Sequence, residues 1–156
     1  MFVLSISDTD DKGVKYEKIG HFVAGMIFAI GWWIFIDCVQ ALPSDDTFGI
    51  PFKYQLPMYF SLLTIFLLNS FPWSYLNSPI DPVAGQKARL IFFIAMFTAF
   101  ACLIAQIWIL SDIYSNENKT NHSWPGVAMI LTVLFNIISA IIIRYSTALN
   151  PMSSII

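Results

Sequence analysis

Residues 90–110 read LIFFIAMFTAFACLIAQIWIL, a run without one charged side chain. At 1.5 Å per residue it makes a helix about 30 Å long, the thickness of a bilayer's hydrocarbon core. A strand reading fails, because the run is too long and does not alternate polar with apolar positions. Three more windows have the same character. Ile19–Leu42 is ended by Pro43 and the acidic SDD, Leu56–Trp73 is shorter with Pro57 and Pro72 near its ends, and Gly126–Ile143 is closed by Arg144.

The composition agrees. Charged residues make up 12% of the chain and the mean hydropathy is +0.69, whereas a soluble domain carries roughly 25% charged residues. The expected fold is an all-α integral membrane protein, a compact four-transmembrane-helix bundle. Residues 1–18 form an N-terminal segment, 19–145 the membrane domain with spans at 19–42, 56–73, 90–110 and 126–143, and 146–156 a C-terminal tail. The connections are too short to fold as separate domains. With a net charge of −2, no basic block and no Gly-rich phosphate loop, nucleic acid is not an expected partner; membrane lipid is.

Basic residues set the expected orientation. With four spans, both termini and the middle loop share one side, which holds Lys12, Lys15, Lys18, Lys87, Arg89 and Arg144; the other side holds Lys53 and Lys119. The positive-inside rule then places both termini in the cytosol. The last loop carries the sequons NKT at Asn118 and NHS at Asn121, possible N-glycosylation sites on the lumenal side. The N-terminal segment lacks a signal-peptide h-region and lacks Arg, so the first span is expected to serve as an uncleaved signal.

Few polar residues lie within the spans. Asp37 falls about 27 Å along the first span, near the lumenal edge, where a carboxylate costs far less than at the midplane. Trp33, one turn away on the same face, is a candidate donor to it, and Gln106, about 24 Å along the third span, a candidate partner between helices. An interfacial structural role and a ligand or partner site both remain open for Asp37. Thr132, Asn136, Ala140 and Arg144 form one stripe on the fourth span, with Asn136 at mid-depth, where an amide must face protein. A helix–helix hydrogen bond is the plainer reading and a polar permeation path the sharper one. Gly20 and Ala24, Gly25 and Ala29, Ala95 and Ala99, and Ala101 and Ala105 are spaced by four, offering close-packing faces. Trp73, Trp108 and Trp124 read as an interfacial belt. Cys38 and Cys102 differ in depth by about 10 Å and are expected to stay unbridged. Neither His21 nor His122 has the company of a metal site, and no Ser–His–Asp grouping shares one depth. No catalytic residue, metal or cofactor is expected.

GWWIFID in the first span, GQKARLIFF opening the third, LIAQIWIL closing it and WPGVAMI opening the fourth together resemble the transmembrane protein 50 family, whose fungal relative is the vacuolar protein sorting protein 68. The resemblance runs from about Ile19 to Tyr145. It implies a small four-span protein of endosomes, vacuoles or other secretory-pathway membranes, without enzymatic activity. It also implies a partner similar to the leptin receptor overlapping transcript family, or a larger membrane complex. Carried over by position, the motif residues are Gly31, Trp32, Trp33, Asp37, Gly85, Ala88, Arg89, Trp108, Pro125 and Gly126; with Gln106 and Asn136 they are expected to be structural or partner-facing. The N-terminus departs from the family pattern in lacking cysteines. The function expected is a non-enzymatic adaptor or complex subunit in endosome-to-vacuole or lysosome sorting. Its alternatives are an accessory subunit of a larger membrane complex and a small channel or transporter.

Overall fold

The computed structural model describes residues 2–40, 50–70, 82–114 and 123–148. Nearly all of them lie in four helices: α1 (Phe2–Gln40), α2 (Phe52–Asn69), α3 (Pro82–Ile109) and α4 (Trp124–Ala148). α3 runs on into a wider π turn, Leu110–Tyr114. Every regular element among the described residues is helical.

Three segments are long and apolar enough to cross a membrane: Gly13–Gln40, Val83–Ile113 and Trp124–Ala148. α2 is not among them. Its 18 residues measure about 27 Å, but its first turns carry Lys53, Tyr54 and Gln55, which shorten its apolar length.

Helix bounds differ from the expected spans because charge ends a span without ending a helix. α1 begins at Phe2 rather than Ile19. No proline occurs before Pro43; Gly13 costs about 1 kcal/mol and the Ser, Thr, Asp and Val residues less each, so nothing in the stretch breaks a helix as proline would. α3 starts at Pro82, where a fixed φ suits the first turn and the missing N–H costs nothing. At the start of α2, the Tyr54 N–H donates to the Pro51 carbonyl (2.9 Å) and the Gln55 Nε2 to the Ile50 carbonyl (2.8 Å). α2 also takes Pro57 inside the helix, removing the N–H that would have reached the Lys53 carbonyl. Residues 71–73 of the second expected span lie outside the described residues.

The helices alternate in direction. Gly31 and Ala24 of α1 meet Thr132 and Ser139 of α4 in reverse order. Met58 and Leu68 of α2 follow α4 in the same order, the first packing with Met129 and Val133 and the second with Ala140. Cys102 and Ala95 of α3 meet the same two groups in reverse. α4 packs on all three other helices, and α1 makes its extensive contact with α4. Accordingly, 44% of the α4 span is buried, against 22% for the α1 and α3 spans. Lys15, Lys18, Lys87, Arg89 and Arg144 gather toward the end of the bundle where α1 and α3 begin and α2 and α4 finish; Lys53, Asp37 and Asp112 lie toward the other.

Small residues allow α1 and α4 to touch. A Cβ added to Gly20 would overlap the Cβ of Ser146, and one at Gly31 would lie 2.9 Å from the Phe135 Cβ. Ala24 is fully buried. On α3, Ala95 and Ala99 are buried in the same way. The other two expected pairs do not pack so: Gly25, Ala29 and Ala101 are exposed, because Gly25 sits about 100° around its helix from Ala24 and Ala101 about 200° from Ala99. Outside, Phe22, Phe66, Phe93, Phe97, Phe100 and Ile104 are exposed. That is a far larger apolar surface than a soluble monomer presents, and lipid is the solvent that suits it.

The glycines give a direct test. Adding a methyl to a helical glycine returns about 1 kcal/mol of helix propensity, whereas overpacking a tight contact costs roughly 1–3 kcal/mol. Gly20→Ala is therefore expected to lower the thermal midpoint in mild detergent, and Gly25→Ala, with nothing within 4 Å of the new atom, to hold or raise it. Equal responses of the two variants would contradict the contact.

Candidate functional site

The buried polar side chains converge on α4. Thr132, Asn136, Ser139, Arg144 and Ser146 are all buried there, with Ser61 and Thr64 buried on α2 and Gln106 on α3. The expected stripe of Thr132, Asn136, Ala140 and Arg144 is buried throughout, but it divides among three neighbours.

Toward α1 the bonds run from hydroxyl to backbone carbonyl. Thr132 Oγ1 is 2.9 Å from the Gly31 carbonyl and 2.9 Å from that of Ala128, so its single proton is shared between the facing helix and its own previous turn. Ser139 Oγ donates to the Ala24 carbonyl at 3.0 Å. Ser146 Oγ turns back to the Ile143 carbonyl at 2.9 Å, and its Cβ faces Gly20. Thr132, Ser139 and Ser146 are spaced by seven, as are Gly31 and Ala24 opposite them. A seven-residue repeat keeps one face toward a neighbour along a left-handed crossing. Near its end His21 Nε2 lies 3.3 Å from Thr147 Oγ1.

Toward α2 the key bond is Asn136 Nδ2 donating to Ser61 Oγ at 2.8 Å, while Ser61 donates to the Met58 carbonyl at 2.6 Å. Asn136 thus faces protein at mid-depth, as an amide there must. Gln106, one turn beyond Cys102, is fully buried, and its Oε1 and Nε2 have no hydrogen bond among the described residues.

The motif residues scatter. Gly31 packs on Phe135. Trp32 is partly buried, with ring centroids 6.2 Å from Phe28, 6.1 Å from Phe35 and 6.1 Å from Tyr59. Trp33 and Trp108, each 73% exposed, stand on the outer wall, and Asp37 and Arg89 are exposed. Gly85 and Ala88 are buried on α3, and Pro125 and Gly126 in the first turn of α4. Asn118, Asn121, Trp73 and His122 lie outside the described residues.

Two expectations about Asp37 are corrected. Gln106 does not bond to it, since both amide atoms of Gln106 lack a hydrogen-bond partner among the described residues. α1 packs chiefly on α4, while α3 packs on α2 and α4. Nor does Trp33 hydrogen-bond to Asp37 among the described residues; the two lie on an exposed flank of α1. Cys38 and Cys102 are both buried free thiols. No group of three or more His, Cys, Asp or Glu is placed to hold a metal ion among the described residues.

Sequence reasoning missed Ser61, Thr64, Ser139 and Ser146. The seven-residue spacing of Thr132, Ser139 and Ser146 was the signal available for two of them. What this arrangement does chemically is hold helices together. Replacing Ser61 and Asn136 by alanine, singly and together, is expected to reveal a coupling of about 0.6 kcal/mol, and no more than about 2 kcal/mol, in detergent unfolding. Asp37→Asn on the exposed flank should stay within about 0.5 kcal/mol of the parent. A null coupling with a destabilising Asp37→Asn would reverse these assignments.

Comparison with known proteins now places the chain. The family described as "Uncharacterised protein family (UPF0220)" matches residues 4–150. The chain is similar to the Transmembrane protein 50 homolog of Dictyostelium discoideum, at 28% identity over 133 residues, covering 79% of this chain and 85% of that one. No solved structure matches it. A match across residues 4–150, with its apolar helices in the order the motifs require, makes this chain a member of the UPF0220, or transmembrane protein 50, family.

Proposed function

We propose that the protein is a non-enzymatic adaptor, or a subunit of a membrane complex, that acts in endosome-to-vacuole or lysosome sorting. All four helices cross the bilayer and both termini are cytosolic. The observation that carries this reading is the division of labour between inside and outside. Thr132, Asn136 and Ser139 direct hydrogen bonds to neighbouring helices, Ser61 accepting the one from Asn136, while α3 turns Phe93, Phe97, Phe100, Ile104 and Trp108 outward. A molecule whose polar interior serves packing and whose apolar wall is open is suited to work through contact with other membrane components.

α2 serves as the fourth span by length: about 27 Å nearly covers the hydrocarbon core, and Lys53 with Tyr54 and Gln55 can reach the interface at one end. The basic residues gathered at the end shared by the chain termini support a cytosolic placement of that end. Residues 1–18 and 146–156 are then the cytosolic segments flanking the membrane domain of 19–145. The partner is a second small multi-pass protein, similar to the leptin receptor overlapping transcript family, or a larger membrane complex in which this chain is an accessory subunit.

Two measurements test this reading. Purification from native membrane in mild detergent is expected to bring down a stoichiometric membrane protein, and Phe97→Ala with Phe100→Ala to reduce its yield several-fold. A lone monomer in every mild detergent would overturn the adaptor reading, and solute flux in reconstituted vesicles would favour the channel in its place. Glycosidase treatment of the cell-expressed chain reports orientation: a mass shift abolished by Asn118→Gln and Asn121→Gln fits a lumenal last loop. Modification of a sequon engineered into the C-terminal tail would contradict cytosolic termini.

A further inference from the structure

α1 and α2 both pack on α4 and make no extensive contact with each other. They meet where the Trp32 and Tyr59 rings lie 6.1 Å apart and stand off from one another toward the end that carries the chain termini. Between them opens a cleft of about 590 Å³, floored by Ser139 and Ile143 of α4 and walled by Gly25, Phe28, Ile65 and Phe66, with His21 at its mouth. The volume lies within the roughly 300–1,000 Å³ of ligand clefts. An apolar cleft open to a bilayer is filled by a bilayer component, and depth and charge say which. From His21 to Phe28 is about 10 Å of helix, in a leaflet whose hydrocarbon is roughly 15 Å deep. A full acyl chain overruns so short a cleft, bounded below by the Trp32–Tyr59 contact; a rigid fused-ring body does not. At the mouth, Thr147 Oγ1 gives its own proton to the Ile143 carbonyl at 2.9 Å, so across their 3.3 Å contact His21 Nε2 is the donor. The neutral ring keeps Nδ1 as an acceptor, suited to one hydroxyl.

We propose that this cleft binds one sterol, with its hydroxyl on His21 Nδ1 and its ring system laid on Gly25 between Phe28 and Phe66. A flat ring face needs a wall without a protruding side chain, and at Gly25 an added Cβ would meet nothing within 4 Å. A phospholipid would call for a cation on its phosphate, and the cleft is lined by neither arginine nor lysine. The nearest cation on this flank of α1 is Lys18, about 4.5 Å nearer the water than His21, at the level of headgroup phosphates and above that of a sterol hydroxyl. The same stretch of α1 reads VKYEK at residues 14–18, which fits the short pattern associated with sterol contact, a Leu or Val, a Tyr and a basic residue at close intervals. Such patterns are common; this one gains weight from its place, ending three residues before the mouth of the cleft. The proposal needs membrane insertion but not the adaptor role, so either can fail alone.

The test places the full chain in nanodiscs of palmitoyl-oleoyl phosphatidylcholine with a diazirine-bearing cholesterol analogue, and maps the photolabelled residues by mass spectrometry. Labels are expected on α1, α2 and α4 around the cleft. Excess cholesterol should cut them about tenfold, whereas excess phosphatidylserine should leave them in place. Gly25→Leu, whose side chain enters open space and fills the cleft, should lower labelling several-fold, and so should His21→Ala, which removes the acceptor. Lys18→Gln should leave it unchanged, as should Met96→Trp in the separate cleft of about 370 Å³ between α2, α3 and α4. Should Gly25→Leu fail to fold, the parent's competition and the His21→Ala result decide. Labels spread evenly over the outer wall of α3, displacement by phosphatidylserine as effective as by cholesterol, undiminished labelling of Gly25→Leu or His21→Ala, or a disulfide-linked dimer through Gly25→Cys in place of label would each overturn the proposal.

Discussion

The close approach of α1 to α4 is the contact on which the rest of the bundle depends. Between helices in a bilayer there is no hydrophobic force to spend, because lipid is as apolar as leucine. What remains is dispersion at short range and hydrogen bonds that find no water to compete with them. Gly20, Ala24 and Gly31 bring the α1 backbone near enough for the Thr132 and Ser139 hydroxyls to reach its carbonyls. Larger residues there would lose both contributions together, since a helix held farther away receives neither contact nor bond.

α4 is central for the same reason. It carries small or hydroxylated residues on one face for α1, and Asn136, Val133 and Ala140 on others for α2 and α3. α1 needs one good face for it, whereas α2 and α3 also pack on each other; the bare phenylalanines of α3 mark the side it leaves to lipid. The interior so built is polar in its bonding without being charged at mid-depth among the described residues, and its hydrogen bonds fix which helix faces which. Charge collects instead at the ends.

Much of this was legible in the sequence, and what escaped did so for definite reasons. Apolar runs located the three helices long and apolar enough to cross a membrane, because hydrocarbon thickness sets a length that few other structures require. Those runs could not locate the helix ends: the polar stretch before Ile19 stays helical in α1 because nothing in it breaks a helix. Asn136 was legible as a packing residue from its depth alone. The pairing of Gln106 with Asp37 does not form, because depth along a helix says nothing about azimuth, and α4 takes the α1 face that would have had to turn toward α3. The four-residue spacing of small residues overcounted packing faces, with Gly25 and Ala29 left exposed. The seam itself follows a seven-residue spacing, Gly31 and Ala24 against Thr132 and Ser139, the period of a sustained helix–helix contact, which the four-residue reading passed over.

Cysteine cross-linking in native membranes tests that seam most directly. In a chain without Cys38 and Cys102, the pair Ala24→Cys with Ser139→Cys should form a disulfide readily. The pair Ala24→Cys with Thr132→Cys, two turns out of register, should not. Efficient cross-linking of the second pair and none of the first would contradict the antiparallel register from which every other contact was built.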